Sequence, residues 1–481
     1  MSNKKSNQLV TNVVFNIVYH ISLVILPLIT TPYIARVLGS HETGVYSYTH
    51  AMATWFVLVA RFGFGNYGNR QIAATRDNRE QLNKTFTSIF VLQMVTGSIA
   101  VIAYIVYLIF FCDQYMISSV ISGLYVLSAM FDIGWLFFGL EEFKLITIRT
   151  MTVRFISTAC IFLFVKSQED TWKYVLILAM NGVINTCVLW AIKHSRVSFT
   201  KVTLSECTAH IKGSFILFIP IILIDIYRLM DKAMLGQINA VADIGYYTYA
   251  DRIVELPYSI IAAVGTVMLP RMTNLVATGH KNETLRMIGV TLRYNTIAAV
   301  AMIFGLIAVA DSLVAIYLGP NFNQTVLLLQ IMTPMILFRS WANVVRTQYL
   351  MPNKQDKSYI KSLCVGVVVN LVLNSILIPK YRAGGAAIAT LFAESSVAMV
   401  QVYESRREIP VWKYIRQNLV FLLYGAIMWL VVCLTKRVLP DGLMSLIILI
   451  GVGGATYCFL IGLHFYKDII GWIRRKRCDQ A

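Results

Sequence analysis

The chain has 481 residues, of which 57% are hydrophobic and 14% charged, and its mean hydropathy is +0.65. That excludes a string of soluble domains, which run to about 45–50% apolar and about 25% charged residues. The formal charge of +18 needs no nucleic acid as partner, because the basic residues collect in places that suit a cytoplasmic face resting on anionic membrane lipid.

The first apolar run, from about 13 to 34, follows Lys4 and Lys5. It is longer than a secretory h-region and lacks a small-x-small cleavage site, so it reads as a retained span. With turn residues and charge clusters as punctuation, about fourteen spans follow one another. The first six cover 13–35, 45–67, 86–111, 116–140, 146–165 and 174–192. The next six cover 213–235, 246–269, 288–310, 325–350, 359–378 and 384–403, and two more cover 415–434 and 443–466. Stretches such as 89–111 and 446–463 carry no charge at all, as a helix crossing a bilayer core with about 20 apolar residues should. The fold class is therefore an all-α integral membrane protein.

Loop charge tests the count independently, because Lys and Arg gather on the cytoplasmic side. With both termini cytoplasmic, the inner connections hold 27 basic residues, from Lys4 and Lys5 through Lys144 and Arg149 to the 474–477 cluster, and the outer connections hold 8. A miscounted span would scramble that alternation downstream of the error.

The chain also echoes itself. Pro27 precedes Val37-Leu38-Gly39 and then Gly44-Val45-Tyr46-Ser47-Tyr48, while Pro220 precedes Met234-Leu235-Gly236 and then Gly245-Tyr246-Tyr247-Thr248-Tyr249. Six helices per half is an even number, so the halves are parallel repeats about an axis along the membrane normal, with the substrate site between them. This predicts a six-helix lobe over 1–200, a second over 201–408, and two additional helices with a basic cytoplasmic tail over 409–481.

Seven arginines fall within spans: Arg61, Arg154, Arg228, Arg252, Arg293, Arg339 and Arg346. Six acids do so as well: Asp132, Asp225, Asp231, Asp251, Glu255 and Glu394. A central charge costs about 2.5–3.5 kcal/mol, so seven lipid-facing arginines would cost roughly 17–25 kcal/mol, above the ~5–15 kcal/mol that stabilises a typical fold. They must face one another, the acids, or water, which implies a charged interior cavity. Asp225 and Arg228 share a helical face and can pair. By depth, Arg61, Arg154, Arg228 and Arg339 are the candidate substrate contacts, with Asp132, Asp225 and Glu394 as pairing or proton-coupling partners.

Other motifs carry less. Gly63-Phe64-Gly65-Asn66-Tyr67-Gly68 matches G-x-G-x-x-G but lacks the βαβ setting of a dinucleotide site, so it reads as a helix-exit turn. No Walker A sequence occurs, and no Asp-x-Asp. Eight cysteines and seven histidines are scattered without metal or redox spacing, so neither a metal nor a cofactor is expected, nor is an enzyme. Gly384-Gly385-Ala386-Ala387 and Ala389 open the twelfth span with small residues suited to close helix packing.

The stretches Thr31–Gly39, Asp132–Glu141, Tyr227–Gly236 and Val267–Arg271 together resemble the polysaccharide flippases of the Wzx type, within the multidrug/oligosaccharidyl-lipid/polysaccharide exporter superfamily. The resemblance implies two six-helix lobes around a cavity that alternates between sides of a bacterial cytoplasmic membrane. It also implies export of undecaprenyl-diphosphate-linked repeat units for capsule, O-antigen or similar polymers, with ion or proton coupling and association with a polysaccharide polymerase left open. Guanidinium forks suit the phosphates of such a head group. A lipid II flippase, differing only in cargo, and a multidrug-type antiporter are the alternatives; a membrane polymerase or glycosyltransferase fits less well, because the outer connections are short.

Overall fold

A computed structural model describes residues 2–112 and 114–466, with side chains from Leu26 onward. The expected basic residues Lys4, Lys5, Lys467 and those of 474–477 lie outside the described side chains. Among the described residues every regular element is helical. The helices are α1 (Ser2–Arg61), α2 (Phe64–Thr75), α3 (Arg79–Phe110), α4 (Met116–Met130), α5 (Gly134–Gly139), α6 (Phe143–Phe164), α7 (Thr171–Lys193), α8 (Leu204–Gln237) and α9 (Val241–Ala277). They continue with α10 (Lys281–Tyr317), α11 (Asn323–Met332), α12 (Met335–Val345), α13 (Asp356–Tyr381), α14 (Ala383–Ser405), α15 (Val411–Asn418), α16 (Val420–Lys436) and α17 (Leu443–His464).

Eleven helices of the described residues are long and apolar enough to cross a membrane, or twelve when the bent pair of α11 and α12 counts as one span. In addition, α1 comprises two helical arms that meet at Gly39, whose φ of 72° is a left-handed conformation open to glycine at little cost. The chain is a multi-pass membrane protein. The span expected over 325–350 is bent by 43° beside Pro334, whose ring and missing N–H interrupt a helix.

Two compact units divide between Gly245 and Tyr246. In the first, α1 packs against α3, α4 and α6, and α4 against α7. Helix α8, the opening span of the second half in the echo, packs here against α1, α2 and α3. The G-x-G-x-x-G stretch does leave a membrane helix, but the chain then starts α2 directly from Gly63 instead of running on as a loop. Asn78 opens α3 by accepting hydrogen bonds from the backbone N–H groups of Glu80 and Gln81 at 3.0 and 3.2 Å, a side-chain N-cap.

Between α4 and α5 the helix breaks over residues 131–133, and buried Gln93 satisfies the freed backbone. Its Nε2 donates to the carbonyls of Ala129 at 3.0 Å and Asp132 at 2.8 Å, while its Oε1 accepts from Trp135 Nε1 at 2.9 Å. Carbonyls left unpaired at bilayer depth would cost several kcal/mol each, so Gln93 is what makes the break tenable. It also fixes where Asp132 stands.

In the second unit α10 is central, touching α11, α12, α15, α16 and α17. The two C-terminal spans thus share its core, through Val300, Phe421, Met428, Leu449 and Tyr457. Helices α13 and α14 pack closely, and a Cβ at Gly385 would strike the Leu377 carbonyl, so the small-residue stripe is a packing surface.

Candidate functional site

In the first unit, two polar cavities lie between helices that are otherwise apolar. One, about 370 Å³ and here called inner because it adjoins the connection expected on the cytoplasmic side, is lined by Arg61, Asn66, Asn69, Gln93, Asp132, Trp135 and Arg149 among others. Arg61 Nη2 stands 3.5 Å from Asp132 Oδ2, with the arginine side chain 58% exposed. Asp132 uses its other oxygen to accept from the Gly134 backbone N–H at 2.9 Å, so one carboxylate both starts α5 and faces the guanidinium. Asp225, on α8, feels the positive charge of Arg228 and of Arg61.

The outer cavity, about 340 Å³, is lined from α1, α4, α6 and α7 by Tyr46, His50, Tyr125, Arg154, Asn181 and Asn185 among others. Arg149 stands between the cavities. It lines the inner one while donating to the Asn185 carbonyl at 3.2 Å and to Thr150 Oγ1 at 3.3 Å, and both of those residues line the outer one. Sequence reasoning placed Arg149 in a cytoplasmic connection. The structure puts it inside α6, and its place within the expected span 146–165 was the available signal.

The second unit holds a different arrangement. Arg339 on α12 is 5% exposed, and its Nε donates to Glu394 Oε1 at 2.7 Å while Nη1 donates to Glu255 Oε2 at 2.9 Å. Glu394 is 6% exposed and Glu255 44%. Tyr258 lies beneath the guanidinium, 5.7 Å from ring centre to carbon. Assigned by depth to the substrate, Arg339 is thus taken up by two carboxylates, Glu394 and Glu255. Arg346 begins a π-helical turn (Arg346–Leu350) and donates to the Tyr359 hydroxyl at 3.4 Å.

The candidate residues therefore fall into three groups: Arg61 with Asp132, near enough to Asp225 and Arg228 for Arg61 to act on the Asp225 charge, Arg154 in the outer cavity, and Arg339 with Glu394. The polysaccharide biosynthesis protein family matches residues 9–276, more than half of the chain. The chain belongs to that family. Among similar proteins is the "Putative O-antigen transporter" of Escherichia coli (strain K12), 24% identical over 81% of this chain and 95% of its own length. The "Lipid II flippase MurJ" of Bacillus subtilis (strain 168) is 25% identical over 46% of this chain and 44% of its own. Of solved structures, that of "Lipid II flippase MurJ, inward closed conformation" superimposes with a TM-score of 0.75 at 17% identity, over 95% of this chain and 100% of that one. A multidrug resistance MATE family transporter of the MOP superfamily gives 0.62 at 11% identity, over 81% and 95%. These establish the all-helical membrane fold.

Proposed function

We propose that this protein is a flippase that moves undecaprenyl-diphosphate-linked oligosaccharide repeat units from the cytoplasmic to the outer leaflet, by alternating access, for O-antigen, capsule or exopolysaccharide assembly. It works in a bacterial inner membrane with both termini cytoplasmic, as the alternation of basic connections indicates, and its two lobes have six helices each. The observation that carries the reading is a pair of arginine-bearing polar cavities within the membrane unit of a polysaccharide-biosynthesis family member. A membrane protein tolerates guanidinium at that depth when it serves a polar passenger or a partner charge. The O-antigen relatives match 81% of this chain, against 46% and 61% for two lipid II flippases, which favours an oligosaccharide cargo over lipid II.

Arg61, Arg154 and Arg228 contact the polar head of the cargo, while its lipid tail stays in the bilayer. Asp132 and Asp225 hold the charge of Arg61 and Arg228 in check between cargoes. The Arg339–Glu394–Glu255 group is the place where an ion or proton would couple to transport, and a polysaccharide polymerase would receive the flipped unit.

The test is to delete the gene and ask which leaflet holds the lipid-linked oligosaccharide. Cargo confined to the cytoplasmic leaflet, restored to the outer one by the intact gene, is the expected result. Unchanged surface polymer in the deletion strain overturns the reading.

A further inference from the structure

We propose that the outer cavity of the first unit is a subsite for a sugar ring bearing a carboxylate, so that the cargo includes an acidic sugar. This deepens the flippase reading and rests on it.

Three properties of the cavity converge. Its one charged lining residue is Arg154, whose guanidinium has no hydrogen bond or ion pair among the described residues. A cation at that depth gains most from an anion brought to it, and a carboxylate matches its planar fork. Next, Asn181 and Asn185 line the same cavity, and the Oδ1 atom of each is buried without a hydrogen-bond partner. The orientation of Asn185 is fixed, because its Nδ2 donates to the Asn181 carbonyl at 2.7 Å. An unpaired buried carbonyl is costly until a donor reaches it. Finally, His50 links two tyrosines along the wall, with ring centres 5.5 Å from Tyr46 and 4.7 Å from Tyr125, a surface that suits the C–H face of a pyranose and offers hydroxyl groups at its edge.

An acidic sugar answers all three within one ring. A diphosphate satisfies Arg154 but has no donor for two amide oxygens and would be repelled by them. A neutral hexose supplies hydroxyl donors but leaves the guanidinium without a counter-charge. A hexuronate supplies both: its carboxylate accepts from Arg154, and its hydroxyls donate to Asn181 and Asn185. The volume, about 340 Å³, lies at the lower end of the ~300–1,000 Å³ typical of small-ligand sites. Diphosphate contact then belongs to the inner cavity, where Arg61 and Arg149 supply two guanidinium groups against one carboxylate.

The experiment is calorimetric binding to the full-length protein in lipid nanodiscs, with D-glucuronate, D-glucose and inorganic phosphate as probes. Glucuronate should bind roughly ten- to hundredfold more tightly than glucose, the span of a charge-assisted hydrogen bond. Arg154→Gln should bring glucuronate down to the glucose level, Arg154→Lys should retain part of the preference, and Asn185→Leu should weaken both sugars. Equal binding of glucuronate and glucose, or full displacement of glucuronate by equimolar phosphate, overturns the proposal. Leaflet assignment of the lipid-linked cargo in the deletion strain is read separately. Cargo that flips normally with no uronate preference removes the subsite and leaves the flippase, whereas surface display without the gene removes the flippase.

Discussion

Arg61 and Arg339 each face a carboxylate, yet the two pairs sit in opposite settings. The Arg61–Asp132 pair is 3.5 Å apart and open to the cavity, a setting in which ion pairs contribute about 0–1 kcal/mol. Arg61→Ala should therefore leave the thermal midpoint of the purified protein nearly unchanged while export of the lipid-linked unit collapses. Normal export by that variant would remove Arg61 from the transport path. Arg339 is enclosed, and removing it leaves Glu394 charged and buried, at a cost of about 3–5 kcal/mol. Arg339→Ala should lower the melting midpoint sharply, and joint replacement of Arg339 by Met and Glu394 by Leu should recover much of it; a single variant that melts with the wild type would show the pair to be dispensable. Depth along the chain found both arginines but not this distinction, because hydropathy counts how far a residue is from the membrane surface and says nothing of which neighbour its side chain meets.

At the scale of the helix, the two echoed glycines have a shared physical reason. A Cβ at Gly44 would collide with the carbonyl of Val241, and one at Gly245 would collide with the carbonyl of Ser40, so the segments 40–44 and 241–245 approach backbone to backbone and each needs the other's glycine. Likewise a Cβ at Gly236 would run into the ring of Tyr48. Gly44→Ala and Gly245→Ala should each impair transport severely, since neither carbonyl is the flexible end of a side chain, and wild-type flipping by either would show that this approach is not used. The sequence repeat pointed to these positions because close backbone approach leaves a mark in residue type. Other features left no such mark. The break before α5 depends on Gln93, some forty residues away, and the bend between α11 and α12 rests on one proline within an apolar run. Short α2 and α15 carry Arg70, Lys413 and Arg416, which loop reading assigns to connections, since an amphipathic helix lying between spans and a basic loop have nearly the same composition.

Over the whole molecule, charge is distributed unevenly between the units. The cavities of the first present Arg61, Arg149 and Arg154 against Asp132, whereas in the second one buried arginine answers two glutamates. A count over all spans, which found only a slight basic excess, averaged these opposite surroundings. At this scale the sequence predicts an orientation, because loop charge is set by insertion and not by packing. That orientation can be tested with the protein's own cysteine. Cys112 follows α3 in a connection assigned to the outside, and its thiol is partly accessible. Ser205, exposed at the start of α8, belongs to a connection assigned to the cytoplasm. A membrane-impermeant maleimide applied to intact cells should label Cys112, and a variant with Ser205→Cys as its sole cysteine should label only after the inner membrane is permeabilised. Labelling of position 205 from outside would invert the topology.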